Sequence, residues 1–365
     1  MRVLVVNAGS SSLKVSAVDP DDSVIFERDF KAGAGHHLDT ELNAALREIE
    51  GIEAVGHRVV HGGPKYPASV RIDPQVVSYL ASITDLAPLH LPASLAGIAA
   101  VRSLLPRLPA VACFDTAFHS KMPAEASTYA IPIEWRSQYG IRRYGFHGFS
   151  HAYAARRAAE MVGRPESFMR VVTCHLGSGA SLAAVFGGRS VDTTMGFTPM
   201  EGLVMGTRSG NLDPGIILWL QRHAGMTEPQ LTDALDERSG LYGLAGIADM
   251  REVLRGAAAG SDQSRLALDV YVHRLRGCIA AMAAAMKGAD AIVFTGGVGE
   301  NAPAVRAAAA DGLGFLGVEV DSGLNERIHG DGDISTAGAS VRTLVVHARE
   351  DVEVAREVRR VLAES

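Results

Sequence analysis

Apolar runs broken by short polar turns dominate the start of the chain. Val3-Leu4-Val5-Val6 leads into the polar turn Asn7-Ala8-Gly9-Ser10-Ser11-Ser12, an alternating stretch follows from Leu13 to Val18, and "DPDD" (Asp19 to Asp22) precedes a third apolar-rich stretch. By periodicity this reads as strand, turn, strand, tight hairpin, strand. The pattern returns in mid-chain: Val171 to Cys174, then Leu176-Gly177-Ser178-Gly179, Ala180 to Phe186, Gly187-Gly188, and Arg189 to Thr193. Two β-β-β starts, each followed by mixed helix and strand, predict two related α/β domains facing each other.

The remaining elements fit that scheme. Ala54 to Gly63 reads as a strand ending in a Gly turn, Pro74 to Pro106 as two helices interrupted by Pro88 and Pro92, and Ala110 to His119 as a buried strand with a polar end. A helix over Phe149 to Gly163 is stopped by its glycine. Further helices fall near Pro214 to Arg222 and Glu228 to Asp236, with a long one ending near Lys287. Asp290 to Asn301 is a strand, a glycine loop and a new helix, and a strand plus helix close the chain. With no low-complexity linker, the domains are expected to be closely joined around a cleft.

Length and composition narrow the class. A chain of 365 residues exceeds one typical core and predicts two domains. A net charge of -6 without a basic stripe argues against nucleic acid as the main partner. Cys113, Cys174 and Cys278 are odd in number, widely spaced and set in apolar surroundings, so they read as free buried thiols in a reducing compartment. The apolar stretch Leu266 to Met286 carries Asp269, His273, Arg274 and Arg276, which makes it a buried helix rather than a membrane span. The first apolar run is too short for a signal peptide, and a cytoplasmic protein is expected.

Three glycine-bearing turns are candidates for phosphate. "NAGSSSLK" lacks the glycine spacing of a P-loop, but its backbone N–H groups, hydroxyls and Lys14 form a concave turn that can hold phosphate oxygens. A plain hairpin turn accounts for it equally well. "HLGSGAS" (His175 to Ser181) is its echo in the second copy, and "FTGGVGEN" (Phe294 to Asn301) adds a strand-to-helix loop suited to backbone approach. Together they favour a nucleotide. Arg58 and Arg208 sit in glycine-bounded apolar stretches, where burial demands an anionic partner: a ligand, or a structural ion pair with an Asp such as Asp213. His147 and His151 lie one helical turn apart, with no Glu or Cys nearby to complete a zinc set. Asp115 ends a buried strand, a usual place for a catalytic side chain in α/β proteins and equally for a turn residue.

In order along nearly the whole chain, "VLVVNAGSSSLK", "GHRVVHGG", "LAPLHLPASL", "FDTAFH", "YGFHGFSH", "HLGSGAS", "TTMGFTPMEGLVMGTRSG", "IADMR" and "FTGGVGEN" resemble the acetate/propionate kinase family of the actin–hexokinase–sugar kinase superfamily. The resemblance implies two duplicated ribonuclease H-like (actin-like ATPase) domains, residues 1–119 plus 352–365 on the acetate side and 120–351 on the nucleotide side, with the active site in the cleft between them. It implies reversible in-line phosphoryl transfer from ATP to acetate, giving ADP and acetyl phosphate, by a phosphotransferase with a carboxyl acceptor. The family's ligands for Mg²⁺ (or Mn²⁺) fall on Asn7 and Glu350, and its lysine near the ATP phosphates on Lys14. Arg58 matches the arginine that holds the carboxylate, and Arg208, helped by His147, the one that stabilises the transferring phosphoryl. The catalytic Asp falls on Asp115, with His90 and His175 nearby. ATP or ADP is expected on His175, Leu176, Gly177, Ser178 and Gly179, on Asp249, Met250 and Arg251, and on Gly297, Val298, Gly299, Glu300 and Asn301. Val60, Leu89, Phe146 and Pro199 match the pocket for the acyl methyl. A homodimer is the family expectation.

Acetate is already ionised at neutral pH, so charge neutralisation and alignment matter more than a base, and Asp115 is expected to position metal or substrate. The chain departs from the family pattern at Ser178, Asn211, Leu91 and Ser94, in "HARED" around Glu350, and in a shorter N-terminal domain. Two rival readings remain: a propionate or butyrate kinase, because one methylene changes selectivity by only about 1–3 kcal/mol, and a non-catalytic nucleotide-binding regulator on the same fold. The second does not call for Arg58, Asp115, His147 and Arg208.

Overall fold

In the computed structural model residues 1–8, 12–31, 38–88 and 90–364 are described. Gly9 to Ser11 of the first turn, and Leu89, therefore lie outside the described residues. The chain divides into two units. Unit one is Met1–Ser120, Phe146–Tyr153 and Arg349–Ser365, and unit two is Lys121–Gly145 and Ala154–Ala348.

Each unit is built on one six-stranded mixed sheet. In unit one the strands are β1 (Val3–Ala8), β2 (Ser12–Val18), β3 (Val24–Lys31), β4 (Ala54–Val59), β5 (Val70–Arg71) and β6 (Ala110–Phe114), ordered β3-β2-β1-β4-β6-β5. In unit two they are β7 (Arg170–Leu176), β8 (Ala180–Phe186), β9 (Arg189–Thr193), β10 (Ala291–Thr295), β11 (Gly332–Asp333) and β12 (Arg342–Val345), ordered β11-β12-β10-β7-β8-β9. The two sheets share one plan. An antiparallel three-strand meander comes first, two parallel strands are added beside its first strand, and a short antiparallel strand closes the far edge. Even the irregularity repeats: the second strand shifts register against the third at Ala17/Val18 in one sheet and at Ala184/Val185 in the other. The duplicated α/β architecture expected from the two β-β-β starts is the one the chain adopts.

The continuous apolar run of β1 follows from burial on both faces. Leu4 and Val6, with Leu13, Val15, Ala17 and Val55, pack against Leu42, Ala45 and Leu46 of the helix Leu38–Arg47 and Val101 of the helix Leu91–Leu104. Val3 and Val5, with Val18, Ala54, Val111 and Cys113, pack against Val354, Ala355 and Val358 of the helix Glu350–Ala363. The last helix thus covers a sheet made from the first part of the chain. At the C-terminal ends of the parallel strands this second face turns polar. Asn7 is in register with Lys14 on one side and Arg58 on the other, so the three share a row.

Several boundaries differ from the sequence reading. The strand from Ala54 stops at Val59, and the one from Ala110 stops at Phe114, where Asp115–Ala117 forms a tight helical turn. Pro92 does not interrupt a helix. It occupies the first turn of Leu91–Leu104, where a missing N–H costs nothing. Two helices not singled out by periodicity, Gly240–Ala245 and Met250–Ala258, precede the long helix Asp262–Ala285. All three cysteines are free thiols, Cys113 and Cys174 buried and Cys278 half-buried. Among the described residues no helix is long and apolar enough to cross a membrane.

Val358 is fully buried beneath the first sheet. Val358→Ala is expected to cost about 2 kcal/mol from lost burial plus the residual cavity. An unchanged urea midpoint would show that this helix is not part of the core.

Candidate active site

In unit one the site grows from the ends of β4 and β6. The tight turn after β6 leaves the Asp115 carboxylate buried, 1% exposed, facing the end of β4. Arg58 Nε and Nη2 donate to its two oxygens at 2.9 and 2.8 Å, a two-point grip that fixes the guanidinium plane. Arg58 Nη1 reaches Glu350 Oε2 at 2.6 Å. Glu350 opens the last helix, where unpaired N–H groups and the helix dipole favour a carboxylate. Burial alone would weaken the Arg58 charge, but the two carboxylates outweigh it and raise its pKa above the usual range. The ion-pair alternative for Arg58 is therefore realised, with Asp115 and Glu350 as partners. Asp213 instead caps the helix Pro214–Ala224 through the Gly215 N–H at 2.9 Å.

His147 stands beside this cluster with φ of +56°, a left-handed conformation that costs energy for a side chain other than glycine. Its carbonyl accepts the His151 N–H at 3.0 Å, the first bond of the helix Gly148–Val162. The close approach explains Gly148, because a Cβ there would lie 2.0 Å from the Asp115 carbonyl oxygen. Phe146 is buried, with its carbonyl bonded to His119 Nε2 at 3.0 Å and its ring edge-on to His61 at 5.6 Å. Val60 is half-buried past the end of β4, and His90 directly precedes the helix Leu91–Leu104. Burial holds His57, His61 and His119 neutral, lowering their pKa values to about 3, about 4 and about 4. Lys14 is paired with Glu27 across the β2–β3 hairpin at 3.0 Å. Asn7 lies in register beside Arg58. The Asn7 amide oxygen and the Glu350 carboxylate are hard donors that suit Mg²⁺ or Mn²⁺ completed by water and phosphate oxygens. Among the described residues no cluster of three or more His, Cys, Asp or Glu could form an all-protein cage.

Unit two contains a cavity of about 680 Å³. It gathers three segments far apart in the chain: Gly177 and Ser178 after β7, Asp249, Met250 and Arg251, and Gly297, Val298 and Asn301 after β10. His175 and Leu176 end β7, and the turn closes with Gly177 N–H on the Gly179 carbonyl at 3.0 Å. Asp249 caps the helix Met250–Ala258 by accepting the Arg251 N–H at 2.8 Å, and the Arg251 side chain holds the Asp249 pKa down to about 2. Gly296, at φ +78°, makes the turn from β10 into the helix Gly296–Asn301. A Cβ at this position would lie 2.9 Å from the Leu176 carbonyl oxygen.

Gly299 and Glu300 do not line the cavity; they brace it. Glu300 Oε1 accepts from the Gly296 and Ala348 N–H groups at 2.9 and 3.0 Å, fixing the loop from below. Arg306, 1% exposed, donates to the Gly299 and Glu300 carbonyls at 2.9 and 2.8 Å and grips Asn325 through Nε and Nη2. Arg208 is half-buried, and its Nη1 donates to the Pro199 carbonyl at 3.1 Å. Burial lowers its pKa against the pull of Asp236 and Glu237, and among the described residues of its unit no carboxylate lies within ion-pair distance. Among the described residues of its unit its charge is balanced only at a distance, by Asp236 and Glu237.

Two features of the cavity had no sequence signal. Tyr271 lies on the inward stripe of the helix Asp262–Ala285 and reads there as core, yet it lines the cavity and its buried hydroxyl has no hydrogen-bond partner. Gly206 also lines it, donating to the Ser178 carbonyl at 3.0 Å. Of the departures from the family pattern, Asn211 is exposed, whereas Leu91 and Ser94 are core positions. Asn211 Oδ1 accepts the Gly202 N–H at 2.9 Å, a bond that a carboxylate oxygen could equally make, while Leu91 and Ser94 are buried.

The model of the acetokinase family matches residues 24–356. The chain belongs to this family. It is 54% identical over 308 residues to the acetate kinase of Gloeobacter violaceus, covering 84% of this chain and 76% of that one. With the acetate kinase of Deinococcus radiodurans it shares 45% identity over 387 residues, 98% of this chain and 97% of the other. Among solved structures, the acetate kinase of Porphyromonas gingivalis superposes with a TM-score of 0.90 at 36% identity, over 99% of each chain. A propionate kinase from Francisella tularensis superposes with a TM-score of 0.91 at 34% identity, again over 99% of each. The fold is accordingly the duplicated actin-like one of these acetokinases.

The three neutral histidines make unit one acid-sensitive. Each binds a proton more readily unfolded than folded, so its contribution is complete above about pH 6.5 and is lost as pH falls toward 4, at about 1.4 kcal/mol per pH unit per histidine. Urea midpoints should drop steadily from pH 7 to pH 5 at the slope this linkage sets. A flat profile would mean these imidazoles are not buried neutral.

Proposed function

We propose that this chain transfers the terminal phosphoryl group of ATP to acetate, giving acetyl phosphate and ADP, and runs the reaction in both directions. The observation that carries the reading is the cavity in unit two, which gathers three separated segments, two of them glycine turns at strand ends, in a member of the acetokinase family. Its apolar wall, including Leu241, Leu254 and Val298, suits a base, and the glycine turns let backbone N–H groups approach phosphate oxygens.

The acceptor needs no general base, because acetate carries no proton at neutral pH. The obstacle is the approach of two anions, and the residues meet it with fixed positive charge. Arg58 receives the acetate carboxylate. Asp115 acts as a positioning residue, holding one edge of the guanidinium so that the other faces substrate. Glu350 engages Nη1, and the incoming carboxylate competes for that nitrogen. Arg208 neutralises the transferring phosphoryl, with the His147 ring as a further donor. A carboxylate oxygen then forms the new bond to the γ-phosphorus as the bond to the bridging oxygen breaks, and the electron pair leaves on ADP. Bound magnesium or manganese would supply charge neutralisation of the phosphates, and Asn7 and Glu350 are the residues that would hold it. Val60 and Phe146, both in unit one, are proposed to contact the acyl methyl. The family resemblance also supports a homodimer working in the cytoplasm.

A second reading, propionate as acceptor, is favoured by the likeness to the solved propionate kinase. Incubation with Mg-ATP and acetate, propionate or butyrate, with hydroxylamine trapping of acyl phosphate, separates the two. No hydroxamate from any acid would sink the proposal, and a clear preference for a longer acid would change the substrate.

Arg58→Lys, which keeps a positive charge beside Asp115, and Arg208→Ala should each lower turnover by about 10²–10³-fold in a folded chain, whereas Arg58→Ala should also lower the thermal midpoint because it strands the buried Asp115 carboxylate. Near-normal turnover in a folded variant would remove that residue from the site. Tyr271→Phe should weaken ADP binding by roughly fivefold, as expected for one hydrogen bond to ligand, and leave stability unchanged or raised. Unchanged affinity would show that the hydroxyl meets no ligand.

A further inference from the structure

Unit one holds a second, smaller cavity of about 220 Å³ that takes no part in the chemistry above. It lies on the face of the sheet opposite Arg58, because His57 and Val55, which line it, alternate with Arg58 along β4. Arg71, Arg102 and Arg107 line it together with His57, and no acidic residue does. Among the described residues none of these arginines has an ion-pair or hydrogen-bond partner. That is unusual in a chain with 41 acidic against 35 basic side chains, where a neighbouring carboxylate is the normal fate of a guanidinium. Three like charges around so small a space repel one another, and nothing in the wall offsets them.

His57 supplies the second, independent observation. It is 3% exposed, lines the cavity, and takes no hydrogen bond from any described residue. Burial keeps the ring neutral, with its pKa lowered to about 3, so one ring nitrogen carries a proton and can donate it to a ligand oxygen. A buried polar ring without a partner, beneath a rim of three unpaired guanidiniums, is a cradle of donors without an acceptor.

We propose that this cavity is a binding site for a small, multiply charged oxyanion of the phosphate class, either inorganic phosphate or the phosphate group of a small phosphorylated metabolite. The arginine forks grip its oxygens in pairs and His57 donates from below. The space exceeds one phosphate group but is about a third of the cavity in unit two, so a few carbon atoms fit and a whole nucleotide does not. The proposal does not depend on the reaction assigned above.

The test is calorimetric titration of the full chain at fixed salt with inorganic phosphate and, separately, with glycerol 3-phosphate. Each is repeated on the double variant Arg102→Ala/Arg107→Ala, whose altered side chains are exposed and whose thermal midpoint is checked first. Phosphate also competes for the catalytic residues, so the Cε1–H resonance of His57, assigned with His57→Gln, is followed by NMR during both titrations. We expect the His57 resonance to shift on titration, and the double variant to lose this class of sites by at least about tenfold in affinity while keeping hydroxamate formation without added phosphate. Response to inorganic phosphate identifies the free ion as sufficient, and response to glycerol 3-phosphate alone identifies a phosphorylated metabolite. An unmoved His57 resonance with both probes, or identical isotherms for wild type and double variant, overturns the proposal.

Discussion

A half-buried guanidinium at the end of a sheet has to be matched by carboxylates, and much of unit one is arranged around matching Arg58. Its partners come from distant parts of the chain: Asp115 from the turn after β6 and Glu350 from the first turn of the last helix. Removing either partner would strand charge in a desolvated place, a loss of several kcal/mol in comparable buried pairs. The triad fixes where β6 must stop and where the last helix must begin. Gly148 then allows the strained His147 segment to press against the same turn. The second apolar face of the sheet and the polar row beyond it are consequences of one helix docking in one register.

The duplication gives the chain two copies of a sheet, but each copy uses its strand ends differently. In unit one the cation at the strand ends is saturated by protein carboxylates, which orient it and hold it charged. In unit two the hydrogen bonds of the Arg208 side chain among the described residues go to the Pro199 carbonyl and the Met205 sulfur, not to a carboxylate. The loop after β10 is kept open by internal bracing. Glu300 and Arg306 engage its backbone from the protein side, which holds the loop with Gly297 at the cavity wall. A buried arginine that serves carbonyl groups rather than a carboxylate is costly to desolvate, and it makes sense where a glycine-rich segment could not hold its own shape.

Much of this was legible in the chain. Alternating and continuous apolar runs marked both meanders because a strand buried on one face or two leaves a period that composition cannot imitate. The Gly and Asp turns marked the hairpins, and Arg58 and Arg208 stood out because a guanidinium in an apolar stretch demands an anion. Other features were illegible. Lys14 reads as a phosphate contact, and spacing along the chain gives no sign of its diagonal pairing with Glu27 on the neighbouring strand. Glu300 reads as part of a ligand loop until its carboxylate is seen turned back on Gly296 and Ala348. Tyr271 reads as core from helical spacing, since periodicity reports which way a residue points and not whether a cavity lies there.

Taken alone, the sequence determined the family, the duplicated α/β plan and the positions able to carry chemistry, because these depend on local period, turn chemistry and residue type. Tertiary structure decided which partner each charge takes. Asp115 and Glu350 rather than Asp213 hold Arg58, and among the described residues of its unit no carboxylate lies within ion-pair distance of Arg208. It also decided where a concavity opens, around Tyr271 in one unit and around His57 in the other. Ion pairing and enclosed space are set by contacts between residues dozens to hundreds of positions apart, and such contacts exist only once the register of both sheets has been chosen.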